Sequence, residues 1–295
     1  MALLNPPHLK TVIAIGALNH RGKFVCNATG FLVGFLARNS KDATKRKYYI
    51  FIVTNRHVFD GKDGVHLRFN TRDGKSKIIP QALKFPNKEP RWLAHPNKKV
   101  DLALLHVNPQ ALAENTIDFV FFNEEIFAYQ RNFQRIGITA GDEVYILGFP
   151  MGFAGGAQNF PYAKAGIISR YDGELLRERK AFLIDSSIFP GNSGGPVILK
   201  PTLAALGNTK AVTSTFLLGT ISGYLPYEEQ LWTHQTNPPT VVSLEREHSG
   251  LSFVIPLDYA KQIFNHWVKA KKRLEKAQEQ KSDQSGPQEI KAAAK

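Results

Sequence analysis

The stretch FPGNSGGPVIL, residues 189–199, places a single serine, Ser193, among three glycines and two prolines. Glycines and prolines in this arrangement are typical of a tight turn. They also leave backbone N–H groups uncovered by side chains, so that these groups could point at an oxygen atom reacting beside the serine hydroxyl. Because glycine-rich loops are common, the stretch alone does not decide between a plain turn and a catalytic loop.

Two other side chains could activate such a serine. A serine hydroxyl is barely acidic, so it needs an imidazole to take its proton and a carboxylate to hold that imidazole in the right tautomer. His57 ends the apolar run FIVTNRHVF, and Asp101 opens another apolar run, DLALLHV. Each residue alone is typical of a hydrogen-bonded turn at a strand end. Together they give the order His, Asp, Ser along the chain and indicate a catalytic triad.

The pattern G-x-S-x-G also occurs in the α/β-hydrolase fold, where the serine lies in a strand-to-helix turn and the acid and histidine follow it. Here Pro196 and an apolar run follow Ser193 at once and predict a strand. The later candidates, Asp258 and His266, lie on one predicted helix, eight residues apart. This context argues against the α/β-hydrolase interpretation.

Composition predicts a folded protein that stays in the cytoplasm. The chain has 295 residues, 43% of them hydrophobic, with 20 Phe and a single cysteine. This is ample for a packed core, and one cysteine allows no internal disulfide, as expected in a reducing compartment. We expect Cys26 to be a small buried apolar residue. The N-terminus does not have the pattern of a secretory signal, and no run approaches the ~18 apolar residues of a membrane span, so we expect no membrane partner.

The formal net charge of +13 raises the question of nucleic-acid binding. The basic residues are dispersed, with small clusters at 45–47 and 269–273, and no nucleic-acid-binding motif accompanies them. A solvated basic surface is therefore favoured over a DNA or RNA site, and acidic partners or substrates stay open.

Short apolar or alternating runs predict about six strands on each side of an irregular connector. They lie at residues 11–18, 24–36, 48–54, 65–69, 77–85 and 101–107, and again at 143–149, 163–170, 181–187, 196–199, 215–222 and 251–256. This pattern predicts an all-β fold of two six-stranded antiparallel β-barrels followed by a C-terminal helix. The predicted divisions are an N-terminal barrel carrying His57 and Asp101 (1–122), a connector (123–142), a C-terminal barrel carrying Ser193 (143–257), a helix (258–275) and a flexible tail (276–295).

These motifs together resemble the trypsin-like (chymotrypsin-fold) serine proteases, and within them the disulfide-free HtrA/Deg branch. The resemblance lies in VTNRHV around His57, DLALL from Asp101, GDEVYILGFP (141–150), AGIIS (165–169), IDSSIFPGNSGGP (184–196) and GLSFVIP (250–256), in the family's order. It implies that Ser193 is the nucleophile, His57 the general base and then acid, and Asp101 the orienting carboxylate. It also implies a double barrel.

The same resemblance implies an oxyanion hole and a substrate pocket. The backbone N–H groups of Gly191, Asn192 and Ser193 would form the oxyanion hole. The pocket would have Ser187 at its base and Ser222, Gly223, Tyr224 and Gly250 along its walls. We expect neither a metal nor another cofactor, because no residues have ligand spacing.

The predicted function is a serine endopeptidase that hydrolyses peptide bonds in protein or peptide substrates. The alternative is a catalytically inactive protease-fold protein that binds peptides or acts as a scaffold. A regulatory protein partner stays open. Since only 39 residues follow Pro256, we expect no PDZ domain of the HtrA/Deg kind and no PDZ-gated regulation.

Three further expectations concern the pocket and activation. The insert at 224–249 is predicted to be a long loop that shapes or covers the pocket. Without a carboxylate at the pocket base, small or medium uncharged residues are expected before the scissile bond, unless Glu228 or Glu229 reaches in. Asn192, the residue immediately before Ser193, is neutral and cannot form an ion pair with an N-terminal amine that cleavage would free. The chain starting at Met1 is therefore expected to be competent without N-terminal processing.

Overall fold

Two β-sheet halves and a long C-terminal helix make up the protein. The computed structural model describes residues 4–202, 204–207, 209–233, 238 and 240–284. None of the helices within these residues is both long and apolar enough to cross a membrane.

The N-terminal half is an eight-stranded sheet. Its strands are β1 (Val12–Leu18), β2 (Phe24–Arg38), β3 (Lys47–Thr54), β4 (Gly64–Asn70), β5 (Ser76–Ala82), β6 (Trp92–Ala94), β7 (Ala103–Val107) and β8 (Phe122–Asn123). Their order is β5-β4-β1-β2-β3-β7-β6, with β8 pairing alongside β2 in the parallel direction.

This half differs from the six-stranded barrel that the sequence predicted, because the short strands β6 and β8 were missed and the sheet is a half-barrel. Near its two end strands, β5 and β6, an isolated bridge joins Lys84 and Pro90. β5 and β6 are not paired with each other in the strand order, so this sheet is not a closed barrel.

Continuous apolar runs form the central strands because both faces of this sheet are covered. On β3, Phe51 and Val53 face one apolar cluster, whereas Ile50 and Ile52 face another. Alternate side chains of a strand point to opposite faces, so a run such as YYIFIVT buries apolar groups on both sides. The first cluster also contains side chains from the C-terminal half and the helix.

The C-terminal half is a closed antiparallel barrel of six strands, as predicted. The strands are β9 (Glu143–Gly148), β10 (Tyr162–Arg170), β11 (Phe182–Asp185), β12 (Pro196–Leu199), β13 (Phe216–Thr233) and β14 (Thr240–Pro256). Their order around the barrel is β10-β11-β14-β13-β12-β9.

The predicted insert at 224–249 is a hairpin and not a loop. Strands β13 and β14 continue beyond the barrel and pair from Pro226 opposite His248 to Thr233 opposite Thr240. Aromatic and β-branched residues such as Tyr227, Trp232 and Val241 favour strands, and the prediction overlooked this signal. We call residues 225–233 and 240–249 the arm.

Within the described residues, five α-helices complete the fold. They are α1 (Arg56–Phe59), α2 (Pro109–Glu114), α3 (Phe133–Ile136), α4 (Gly173–Arg179) and α5 (Leu257–Gln284). On α5, the Phe264 ring stacks on Phe35 at 4.4 Å between centroids, and this contact docks the helix on the N-terminal half. The helix runs to Gln284 rather than ending at 275, so the predicted tail is helical over its first residues, and 285–295 lie outside the described residues.

Candidate active site

A mainly apolar cleft collects most of the predicted site residues. Its volume is about 410 Å³, and both halves of the molecule line it. The N-terminal half contributes His57 and its neighbour Val58, and the C-terminal half contributes Ser193. The remaining lining includes Ile188, Phe189, Pro190, Gly191, Ser222, Gly223 and Tyr224.

His57 is held by two contacts to the same carboxylate. It lies on α1, directly after β3, and its side chain is 53% exposed. Its Nδ1 lies 2.7 Å from Asp101 Oδ2, and its backbone N–H donates to Asp101 Oδ1 at 3.0 Å. Since an ionised carboxylate only accepts, Nδ1 carries the proton and Nε2 is left as the basic nitrogen.

Asp101 is fixed by its own set of partners. Asn55 Nδ2 donates to the Asp101 backbone carbonyl at 2.9 Å, and Ser222 Oγ donates to Asp101 Oδ2 at 2.7 Å. Burial alone would raise the pKa of Asp101, but the hydrogen bonds and charge of His57, together with Ser222, outweigh burial and lower the pKa below its ordinary value. The carboxylate is therefore ionised at neutral pH and can stabilise an imidazolium at His57.

Ser193 lies in the same cleft but is turned away from the imidazole. Its hydroxyl donates to the backbone carbonyl of Ser222 at 3.1 Å. Within the described part of the chain, no hydrogen bond joins Ser193 to His57. Ser222 thus contacts both partners, because its hydroxyl binds Asp101 and its carbonyl accepts from Ser193.

The residues before Ser193 form a turn that leaves two backbone N–H donors free. The turn is closed by Asn192 N–H donating to the Phe189 carbonyl at 3.0 Å, with Pro190 and Gly191 at its centre. Gly191 has φ +98°, the sign that a type II turn requires at this position, and proline before it suits the same turn. Among the described residues, the N–H groups of Gly191 and Ser193 have no protein acceptor.

This turn corrects one predicted role. Asn192 was expected to contribute its N–H to an oxyanion hole, but that N–H closes the turn instead. The Asn192 side chain is buried, and its Nδ2 has no partner among the described residues. The available donors are Gly191 and Ser193, and both belong to residues that line the cleft.

Thr29 supports this turn, and the sequence prediction missed it. The side chain is fully buried on β2, and its Oγ1 donates to the Gly191 carbonyl at 2.6 Å. The same oxygen accepts from Phe149 N–H at 3.1 Å, and the Thr29 N–H donates to the Ser193 carbonyl at 2.9 Å. The available signal was a polar residue inside the apolar run FVCNATGFLVGFL, because buried polar groups need partners.

Arg68 is a second missed residue that acts between the two halves. It lies buried on β4, and its guanidinium donates to the carbonyls of Gly155 and Gly156 at 2.9 and 2.6 Å. Asn70 and Asn159 hold the same loop by reciprocal bonds between side chain and backbone. Gly152 of this loop packs against Cys26, so the loop that precedes β10 is tied to the N-terminal half.

The predicted pocket is only partly present in the cleft. Ser222, Gly223 and Tyr224 line it, whereas Ser187 and Gly250 do not. The His248 ring contacts the residues next to both segments, because it accepts from Ile188 N–H or Gly250 N–H and is stacked on Tyr224 at 4.5 Å. Glu228 does not enter the cleft, because it pairs with Arg246 on the arm at 2.8 Å.

The single cysteine has no part in the site. Cys26 is buried, and burial raises the pKa of its thiol to about 11, so the thiol stays protonated. Within the described residues, no three His, Cys, Asp or Glu side chains group closely enough to hold a metal ion.

Two solved structures are similar to this chain at low sequence identity. The MamO protease domain from Magnetospirillum magneticum, in its apo form, matches 88% of this chain and 98% of its own, with 14% identity and a TM-score of 0.48. Human heparin binding protein matches 89% of this chain and 94% of its own, with 12% identity and a TM-score of 0.44. No curated protein sequence matches the chain.

A family assignment comes from the sequence itself. Residues 28–207, more than half of the chain, match the family described as a trypsin-like peptidase domain. This span contains His57, Asp101 and Ser193, and it ends before the arm and α5. The narrower assignment to the HtrA/Deg branch stays a prediction. The chain belongs to the trypsin-like peptidase family.

Proposed function

We propose that the protein is a serine endopeptidase that hydrolyses peptide bonds through His57, Asp101 and Ser193. The observation that carries this proposal is the 2.7 Å contact between His57 Nδ1 and Asp101 Oδ2, in a cleft that Ser193 also lines. It leaves Nε2 as the basic nitrogen of an imidazole whose side chain is 53% exposed, as a general base requires. Peptides are the proposed substrates because both halves of the molecule line the cleft, and its lining offers backbone donors and acceptors.

The first half-reaction forms an acyl-enzyme. Ser193 Oγ attacks the scissile carbonyl carbon while its proton passes to His57 Nε2. The negative oxygen that forms would be bound by the N–H groups of Gly191 and Ser193, which have no acceptor within the described chain. His57 then donates its proton to the leaving amine, the C–N bond breaks, and the acyl group stays on Ser193.

The second half-reaction uses water in place of the serine. His57 takes a proton from the water as it attacks the acyl carbon, and returns that proton to Ser193 Oγ when the ester bond breaks. Asp101 stays ionised throughout and stabilises the imidazolium in both halves. Its lowered pKa supports this role.

Substrate binding would release the nucleophile from its resting contact. The Ser193 hydroxyl donates to the Ser222 carbonyl at 3.1 Å, and that carbonyl lies on a segment that lines the cleft. A peptide N–H that donates to the Ser222 carbonyl would compete for it and leave the hydroxyl to find a new acceptor. Nε2 of His57 is that acceptor, so binding would assemble the reactive pair.

A peptide-binding protein without catalysis is the second candidate. The observation that favours it is the same resting contact, since Ser193 is bonded to Ser222 and not to His57. In that case the cleft would still hold a peptide, but the hydroxyl would never be activated.

A fluorophosphonate probe separates the two candidates. The full-length protein is incubated with the probe, and the adduct is located by mass spectrometry. We expect one adduct, on Ser193, which is lost in Ser193→Ala and slowed strongly in His57→Ala. Absence of an adduct on the wild-type protein, together with no cleavage of a peptide library, would favour the non-catalytic candidate.

A further inference from the structure

Two side chains that can donate hydrogen bonds, Lys164 and His248, lie beside the cleft. They contact residues 187–189, the segment that leads to the turn at Gly191. Lys164 on β10 donates from Nζ to the Ser187 carbonyl, and its ammonium lies 4.9 Å from the centre of the Phe189 ring. His248 on β14 contacts Ile188 from the other side, with its Nε2 3.1 Å from the Ile188 backbone nitrogen. The two side chains therefore meet around residues 187–189.

The ammonium of Lys164 has no carboxylate partner. The side chain is half-buried, and burial lowers its pKa because the charged form loses water. Among the described residues, no Asp or Glu forms an ion pair with it, although many other lysines and arginines of the protein are paired. A half-buried cation that contacts a backbone carbonyl and an aromatic ring, with no carboxylate paired to it within the described residues, is a favourable site for an anion.

His248 adds a second donor. Its Nε2 faces the Ile188 N–H, and its Nδ1 faces the Gly250 N–H at 2.9 Å. A neutral imidazole can accept at only one nitrogen, because the other carries its own proton. The ring therefore keeps one N–H that it can donate to a ligand. A carboxylate oxygen, which only accepts, suits that donor.

The position of this cluster relates it to the residue before the scissile bond. The family resemblance puts Ser187 at the base of the pocket that receives that side chain. Ile188, Phe189 and Tyr224 line the cleft with Ser193, and Tyr224 is stacked on the His248 ring with 21° between the planes. Lys164 and His248 thus contact residues that line the part of the cleft that such a side chain would enter.

We propose that Lys164, His248 and the backbone N–H groups beside them form a carboxylate subsite, so that the peptidase cleaves after acidic residues. This proposal rests on the proposed function and replaces the sequence-based expectation of an uncharged residue. For a glutamate side chain to enter, the Lys164 ammonium moves from the Ser187 carbonyl to the incoming carboxylate. The His248 ring then donates its N–H to the same group.

The kinetic test compares peptides that differ only in Glu or Gln before the scissile bond. For the wild-type protein we expect kcat/KM to be at least about tenfold higher for Glu, since a charge-assisted contact replaces a neutral one. In Lys164→Gln the ratio should fall to about one. In Lys164→Glu, Arg should become the preferred residue. Lys200→Gln is the matched control, because Lys200 is paired with Glu143 on the barrel and should keep the wild-type ratio.

A binding test keeps the subsite proposal separate from the question of catalysis. Peptides that end in Glu or Gln are titrated into the Ser193→Ala protein by calorimetry. Tighter binding of the Glu peptide, lost when Lys164→Gln is added, supports the subsite even if the wild-type protein cleaves nothing. Equal binding of both peptides, or cleavage with Gln or Leu preferred over Glu, overturns the subsite. Labelling of Ser193 would still uphold the peptidase in that case.

Discussion

The two walls of the cleft differ in how many of their hydrogen bonds are already made. On the N-terminal wall, Asp101 accepts from the His57 ring, the His57 backbone and the Ser222 hydroxyl. On the C-terminal wall, the N–H groups of Gly191 and Ser193 have no acceptor within the described residues. In the proposed triad, the base is therefore oriented by the fold, whereas the nucleophile and its donors await a ligand.

This contrast assigns different energetic roles to the two walls. Contacts around Asp101 are made before substrate arrives, so they set protonation and orientation in the free protein. In the proposed mechanism, the free donors at Gly191 and Ser193 gain their partner when an oxyanion forms, and interactions of that kind lower the barrier itself. Substitutions around Asp101 should therefore change the protonation and orientation of His57, whereas substitutions at the turn should change the height of the barrier.

The largest effect is expected on the preorganised wall. In Asp101→Asn the charge is lost and the amide can present a donor to His57, which favours the wrong tautomer. We expect kcat/KM to fall by about 10⁴ in a peptide-cleavage assay with little change in KM. Asp60→Asn, which removes an exposed carboxylate just after α1, is the control and should be close to wild type. A fall of less than about tenfold in Asp101→Asn would contradict the proposed triad.

A smaller effect is expected at the turn on the opposite wall. A Cβ on Gly191 would lie 2.1 Å from the Phe149 carbonyl oxygen, and φ is +98°. Gly191→Ala must therefore rotate the turn, and loss of one oxyanion donor costs about 10²–10³ in rate. We expect this fall in kcat and a slower reaction of Ser193 with a fluorophosphonate.

Gly22→Ala separates the effect of the contact from that of backbone strain. Gly22 also has positive φ, +71°, but no atom lies within 4 Å of its Cβ position. Both variants should lose some stability in a thermal melt, and only Gly191→Ala should lose activity to this extent. Equal activity losses in the two variants would show that the turn is not a donor site.

Sequence patterns were sufficient for the local features of both walls. Apolar runs ending at His57 and beginning at Asp101 located two of the side chains, and the glycines around Ser193 located the turn. The closed barrel of β9 to β14 followed from short alternating runs. Such features depend on neighbouring residues, so one sequence contains them.

Contacts between distant segments could not be predicted in this way. The bond from Thr29 to Gly191 spans 162 residues, and the His248 ring reaches Ile188 from a segment that was expected to be a loop. Neither has a signature in the local pattern, because each depends on how β2 and β14 pack against the 187–193 segment. The hydrogen bond from Asn192 that closes the turn was also missed, since oxyanion donors were assigned by resemblance alone.

Thr29 allows a test of how the N-terminal half supports the turn. Thr29→Val keeps the shape but removes the donor to the Gly191 carbonyl and the acceptor for Phe149 N–H. Because these backbone groups are buried, we expect a loss of about 1–3 kcal/mol in the free energy of unfolding. We also expect a fall in kcat of roughly tenfold, as the turn is held less firmly.

Thr29→Ser is the matched control, since serine keeps the hydroxyl and loses only a methyl group. It should recover most of the activity, measured with the same peptide and probe. Similar activity losses in Thr29→Val and Thr29→Ser would mean that packing at this position matters, and not the two hydrogen bonds.

The smallest expected effect concerns acid stability, and again it distinguishes the two walls. The partners of Asp101 hold its pKa below the ordinary value in the folded state. A carboxyl of this kind stabilises the folded protein at pH above its unfolded-state pKa, and that contribution is lost as pH falls through the folded-state pKa. The free energy of unfolding, measured in urea, should therefore be larger for the wild type than for Asp101→Asn at neutral pH. The difference between the two free energies of unfolding should narrow as the pH is lowered from about 7 to about 3.

Gly191→Ala removes no ionisable group, so its difference from the wild type in free energy of unfolding should stay the same over that range. If the Asp101→Asn difference also stays constant or widens in acid, the hydrogen bonds around Asp101 do not stabilise its charged form, and the N-terminal wall is not preorganised in the way that its geometry indicates.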